Sequence, residues 1–252
     1  MANSGSSLFD VSGKTALITG GGSGLGQFMA KSLAEAGVRI YLVGRREDRL
    51  IETLGDYSGA VFALDLVKRG AANTLFERVA AEDHQPDIII NAAGINPRLH
   101  ANDISETDWH YSIDLNLNVP FFVSQKFVPY MKKKGRGRII NIASLQSTRA
   151  FENGISYGAA KGGVLQLTRA MAEAWSQFGI TANAIAPGFF PTELTAPLFA
   201  NIAEAKRLAD CTAIKRNGEL KDLLGPLLFL ASDASGYITG QSIAVDGGFT
   251  AK

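Results

Sequence analysis

The chain has 252 residues, 46% of them hydrophobic and 19% charged, and a formal net charge of +1. That length suits one large α/β domain with a substantial core, and near-neutrality predicts neither a nucleic-acid nor a membrane-surface partner. A single cysteine, Cys211, excludes an intrachain disulfide and offers no metal cluster, and no apolar run reaches the roughly 20 residues that span a bilayer.

The opening stretch MANSGSSLFD is polar and lacks a basic-then-apolar targeting pattern. A cytoplasmic protein is therefore expected, with residues 1–8 a flexible leader and 9–252 the folded domain. Residues 14–19 (KTALIT) are an apolar run that ends in the glycine-rich GGGSGLG of 20–26, and a helical pattern over 25–36 stops at Gly37. Strand, glycine turn and helix in that order present a helix N-terminus, with its unpaired N–H groups, to a phosphate. The spacing is not G-x-G-x-x-G. It is T-G-x-x-x-G-x-G, with Thr19, Gly20, Gly24 and Gly26 in the fixed places. A glycine turn alone is weak support, because such turns are common.

Residues 39–43 (RIYLV) read as a second strand, followed by Gly44-Arg45-Arg46 with no carboxylate before Glu47. An acidic residue at this place reads a ribose diol, and a basic one accommodates a 2′-phosphate. Guanidinium groups match phosphate in charge and geometry, which favours NADP(H) and leaves NAD possible. The same arginines would also suit the start of a solvated helix, REDRLIETL. Residues 60–64 form a third strand closed by Asp65, 68–83 a helix, and 87–90 a fourth strand running into Asn91-Ala92-Ala93-Gly94. A helical pattern over 115–131 ends in KKKGRGR, cations where a helix macrodipole favours them. Strand 138–142 delivers Ser144, a long helix covers 156–178, and strand 180–185 leads to Pro187-Gly188. A seventh strand, 242–245, precedes Asp246-Gly247-Gly248.

Within the long helix, Tyr157 and Lys161 are i and i+4 and project from one face. A phenol ordinarily titrates near pH ~10, and an ammonium one turn away favours the phenolate. The pair therefore suits general acid/base work, although a plain surface Tyr/Lys pair has the same spacing. Alternation of strands and helices without a linker predicts one domain, a doubly wound, mostly parallel seven-stranded sheet with helices on both faces. Ligands in such sheets gather at the strand carboxyl ends, where the glycine turn, Asn91, Ser144 and Pro187-Gly188 all fall. Residues 189–218 lack strand periodicity and read as a helical flap over that crevice.

Taken together the chain resembles the short-chain dehydrogenase/reductase family. The residues that carry this are TGGGSGLG (19–26), Asp65, NAAG (91–94), Asn116, Ser144, YGAAK (157–161), PGFFPT (187–192) and VDGG (245–248). The resemblance implies a Rossmann-type fold and hydride transfer between a nicotinamide and a substrate carbon. Ser144 would hold the substrate oxygen and Tyr157 would pass the proton. Lys161 would lower the tyrosine pKa and grip the ribose, and Asn116 would hold a water of the proton relay. Gly20, Ser23, Leu25 and the turn made with Gly24 and Gly26 would meet the phosphates, Asp65 and Leu66 the adenine, and Asn91, Ala92 and Gly94 the adenosine ribose region. Ile185, Pro187, Gly188 and Thr192 would line the nicotinamide. Two departures from the family pattern stand out. Ala92 replaces an asparagine and should weaken a backbone-supporting hydrogen bond. Ser23 replaces a basic residue, leaving any 2′-phosphate to Arg45 and Arg46.

Inside the family, NAAGINPR (91–98), SLQS (144–147) and TRAMAEAWSQFGITANAIAPGFFPTEL (168–194) are closest to the group of gluconate 5-dehydrogenases and deoxygluconate dehydrogenases, which act on sugar acids. Arg98 and Arg149 would clamp a carboxylate, or be plain loop arginines, and Gln146 and Phe189 would face the substrate. His100 would meet a hydroxyl or solvent. A 3-oxoacyl carrier-protein reductase or a broad carbonyl reductase competes with the sugar-acid reading. A non-catalytic NADP-binding regulator on the same scaffold is the alternative of another class. Relatives are usually homotetramers, so self-association is expected.

Overall fold

The computed structural model describes residues 7–251, so the expected leader lies outside the described residues except for Ser7 and Leu8. Seven strands run through it: β1 (Thr15–Thr19), β2 (Arg39–Gly44), β3 (Gly59–Ala63), β4 (Ile88–Asn91), β5 (Gly137–Ile142), β6 (Ile180–Pro187) and β7 (Ser242–Val245). They form one sheet in the order β3-β2-β1-β4-β5-β6-β7, and every pairing is parallel. Parallel strands need crossovers, and helices supply most of them: α1 (Gly24–Glu35), α2 (Glu47–Leu54), α3 (Ala71–Ala80), α4 (Glu106–Ile113), α5 (Val119–Lys134) and α6 (Ile155–Trp175). Two short helices, α7 (Ala196–Phe199) and α8 (Ile202–Cys211), occupy the segment expected to be a helical flap. Helix α9 (Leu224–Ala231) precedes β7.

Both faces of the sheet are buried, and the strand residues alternate between two cores. Ala16, Ile18, Ile40, Leu42, Ile88 and Ile90 share a cluster with Met29 and Leu33 of α1 and Leu227 and Leu230 of α9. The intervening Leu17, Tyr41, Val43 and Ile89 meet Leu75 of α3, Phe127 and Met131 of α5 and Met171 of α6. A period of two with apolar residues in both phases is what a sheet covered on both sides requires. Since β1 lies between β2 and β4, the winding direction reverses there, and a crevice opens at the carboxyl ends of those strands.

The helix expected over 115–131 is interrupted. Residues Asp114–Asn118 widen into a π turn between α4 and α5, with Asn116 buried inside it. Such turns shift side chains off helical register and often occur at working sites. The basic run closes α5 as expected: Gly135 takes the left-handed conformation that ends the helix. Most of its charges have local partners: Lys134 pairs with Asp87, Arg136 and Arg138 both reach Asp233, and Lys132 lies over the Phe178 ring. That run is therefore committed to the fold.

Candidate active site

The crevice is made of two lobes. The first is lined by the glycine turn with Leu25, by Ala92–Gly94, Asn96 and Arg98, by Asn116, by residues 142–146, by Tyr157 and Lys161, and by residues 187–195 except Pro191. The second is lined by Arg45, Arg46, Arg49, Asp65, Leu66, Tyr111 and Leu115. Gly20, Ser23, Ala93, Gly94, Glu193 and Leu194 line both, so they form the neck between the lobes.

The glycine turn fits a phosphate. Gly20 has φ +71°, and a Cβ there would lie 2.8 Å from the Ala93 backbone; a Cβ on Gly26 would lie 2.3 Å from the Gly20 carbonyl oxygen. Neither place admits a side chain. Ser23 precedes α1 but makes no side-chain cap, and the first turn of α1 carries no acidic residue. The helix thus opens without a side-chain cap, as an anion site at a helix N-terminus requires. At Ala92, where weaker backbone support was expected, the Thr19 hydroxyl accepts bonds from the amides of Ala92 and Ala93 at 3.2 Å each.

In the first lobe Tyr157 and Lys161 are both buried, at 8% and 4% exposure. The Lys161 Nζ donates to the Ile142 carbonyl oxygen at 2.6 Å and stands 5.6 Å from the centre of the Tyr157 ring. The expected effect of the lysine on the phenol needs correction. Burial raises the Tyr157 pKa, and the forces against that are a hydrogen bond from Ser144 and the nearby charge of Arg98. Burial acts on Lys161 too, lowering it to about 8. The physical reason is geometric: the Lys161 ammonium is turned to the Ile142 carbonyl oxygen, 5.6 Å from the centre of the ring, and burial of the phenol outweighs the groups that favour its charge.

Ser144 is strapped to the tyrosine helix. Its Oγ accepts from the Gln146 amide at 3.1 Å, its own amide donates to Ser147 Oγ at 3.2 Å, and that hydroxyl donates to the Lys161 carbonyl oxygen at 2.7 Å. Asn116 donates to the carbonyl oxygens of Ile95 and Ser112 at 3.0 and 2.9 Å, which holds the π turn against the loop after β4. Three buried polar atoms around this lobe have no protein partner: Asn116 Oδ1, Gln146 Oε1 and Arg98 Nε. Arg98 has φ +54°, a conformation costly for a non-glycine residue, and its Nη2 donates to the Leu194 carbonyl oxygen at 3.4 Å. Phe189, one of the aromatic residues of the lining, is backed by Phe151 and Phe249 at centroid distances of 6.0 and 5.6 Å.

Several residues named from sequence lie elsewhere. Asn91 lines neither lobe. It is 2% exposed, and its amide donates to Asn141 Oδ1 at 2.8 Å and Ser124 Oγ at 3.0 Å, because its side chain points into the sheet–helix core rather than out of the strand end. Ile185 is likewise enclosed in the core. Arg149 is exposed and lines neither lobe, since the turn after Ser144 carries it outward. His100 is exposed, its Nδ1 accepting from the Asn102 amide at 3.3 Å. Conversely, Glu193 and Tyr111 were not expected. Tyr111 Oη accepts from Arg45 at 3.0 Å, and Glu193 Oε2 accepts from Arg46 at 2.9 Å. No local pattern could have found these pairs, which are 66 and 147 residues apart in the chain.

A parallel doubly wound sheet with an anion-ready turn and a Ser/Tyr/Lys cluster at its strand ends defines an oxidoreductase of the dinucleotide-binding type. The chain belongs to the short-chain dehydrogenase/reductase family: residues 20–250 match the family model described as enoyl-(acyl carrier protein) reductase. It is 40% identical to the 2-dehydro-3-deoxy-D-gluconate 5-dehydrogenase of Escherichia coli K12 over 98% of this chain and 99% of that one. It is 38% identical to the gluconate 5-dehydrogenase of Gluconobacter oxydans 621H, covering 96% and 97%. Among solved structures it matches a gluconate 5-dehydrogenase from Burkholderia cenocepacia J2315, in complex with NADP and tartrate, with a TM-score of 0.91 and 36% identity over 98% of both chains.

Proposed function

We propose that this protein interconverts a secondary alcohol and a ketone on a small sugar acid or polyol, using NADP(H) in preference to NAD(H). The observation that carries this reading is the convergence of Ser144, Tyr157 and three unpartnered buried polar atoms in one lobe of the crevice. Buried polar atoms are almost always paired, and these three sit unpaired on residues that line the lobe, where a bound water or a polar guest could satisfy them. Arg98 Nε and Gln146 Oε1 offer a donor and an acceptor, which suits a carboxylate with adjacent hydroxyls. The three arginines of the second lobe, Arg45, Arg46 and Arg49, support the 2′-phosphorylated cofactor. The relatives named for gluconates and the NADP-bound structure agree with both parts.

In this mechanism Ser144 Oγ holds the substrate oxygen and Tyr157 Oη donates or accepts its proton. Lys161, charged below about pH 8, keeps positive potential beside the phenol as negative charge develops. Asn116, through its free Oδ1, holds a water that refills the proton. A bound nicotinamide cofactor supplies or accepts the hydride. Residues 189–195 of the expected flap, Pro191 apart, wall the first lobe, and the enzyme works as a cytoplasmic homotetramer.

The test is a panel of hexonates, polyols, small ketones and oxoacyl thioesters, followed at 340 nm with both cofactors. Turnover of hexonates with NADP(H) is expected. Thioester reduction without hexonate activity would select a carrier-protein reductase instead. Tyr157→Phe is expected to lower kcat by roughly 10²-fold or more while cofactor affinity stays within about threefold; unchanged turnover would remove the phenol from the mechanism.

A further inference from the structure

We infer that Glu193 sets cofactor selectivity: from the flap, its carboxylate competes with the 2′-phosphate of the cofactor for the guanidinium of Arg46. This rests on the NADP(H) reading above and adds an opposing group to it.

Arg46 Nη2 is shared between the glycine turn and the turn that carries Glu193, which also lie against each other through Gly24 and Thr192. It donates to Glu193 Oε2 at 2.9 Å and to Ser23 Oγ, in the glycine turn, at 3.2 Å. Ser23 stands where the phosphate cradle begins, and Arg46 follows β2 where a cofactor's ribose is read. The guanidinium that a 2′-phosphate would use is therefore already occupied by an anion of the protein. Arg45 differs, because its partner Tyr111 is a neutral phenol and leaves its charge uncompensated.

Glu193 is also held in place. It opens a short helical turn whose backbone is fixed by Thr192 and Thr195, with the Thr192 amide donating to Thr195 Oγ1 at 2.9 Å. Its carboxyl lies below the usual range, chiefly through the bond from Arg46, so it is ionised at neutral pH. Both partners are about half exposed, at 52% and 56%, which makes the pair weak enough for a phosphate to displace. A cofactor lacking the 2′-phosphate leaves the Glu193–Arg46 bond intact. One bearing it must break that bond and accept a carboxylate close to a dianion. The residue thus discriminates against NADP(H) specifically, within a site whose arginines favour it.

The experiment is a direct titration of NADPH and NADH by cofactor fluorescence with full-length wild type, Glu193→Gln, Arg46→Ala and the double variant. Melting temperatures confirm folding, and Glu193→Ala serves as the second probe of the position. Glu193→Gln is expected to tighten NADPH about fivefold, the upper range for an exposed ion pair, and to leave NADH within about twofold. Arg46→Ala should weaken NADPH about tenfold or more, and in that background the gain from Glu193→Gln should vanish. An unchanged NADPH Kd, equal tightening of both cofactors, or a gain that persists without Arg46 would each overturn the competition. A wild type that binds NADH and not NADPH would instead overturn the NADP(H) reading, and this inference with it.

Discussion

Lys161 shows how enclosure changes what one charged residue contributes. Free lysine titrates at 10.5, and burial brings this one to about 8. Between those values the unfolded chain keeps a proton that the folded chain has released. Folding therefore gains stability as pH rises through that window, in full above 10.5, and loses it as pH falls to about 8. Lys161→Met should flatten this component, and melting temperatures of both proteins from pH 7 to 10 will show whether the rise belongs to Lys161. The Tyr157/Lys161 spacing was readable in the sequence because helical periodicity is local. The direction of the phenol's shift was not, since it depends on how many atoms crowd the ring. Arg98 and Arg149 looked alike in the sequence, and only the path of the backbone separates a lining residue from a solvated one.

Among the elements, β1 and the glycine turn were the most legible, because backbone sterics at Gly20 and Gly26 leave few other residues possible. The π turn was invisible: Asp114–Asn118 carries the same apolar spacing as the helix around it, and its widening depends on the bonds of Asn116 to residues 95 and 112. Helices α4 and α9 had no clear signal either, being short, and α9 nearly uniformly apolar. Asn91 illustrates a motif residue whose work is joining elements. Its amide bonds Asn141 of β5 and Ser124 of α5, and Asn141 in turn donates to Thr168 of α6 at 2.9 Å. Asn91→Ala should cost about 1–3 kcal/mol of stability, the usual penalty for unpaired buried partners. Chemical denaturation measures that loss; cofactor affinity that collapses with stability intact would return Asn91 to the crevice.

At the level of the whole molecule, strand order fixes where chemistry can occur; the alternation of strands and helices made a doubly wound parallel sheet legible in the sequence, while the order of its strands came from the structure. What remained hidden was every pairing across long chain separations, Arg46–Glu193 above all. Apolar side chains left outside the fold bear on assembly: Phe122 of α5 and Ile155 at the start of α6 are 49% and 46% exposed. The tetramer proposed above would cover such groups. Light scattering of the purified protein should give four times the chain mass, and a monomer would refute it.

Phe189 in the wall of the first lobe, with Phe151 and Phe249 packed against it, joins a loop, the segment after β6 and the turn after β7. Phe249 lines neither lobe but backs Phe189, so trimming it should loosen that wall without touching the glycine turn or the sheet. Phe249→Ala should widen the range of ketones accepted, raising kcat/KM for bulky over small carbonyls on the order of tenfold. Competition assays with paired substrates will measure that ratio, and an unaltered preference would mean the rings only brace one another.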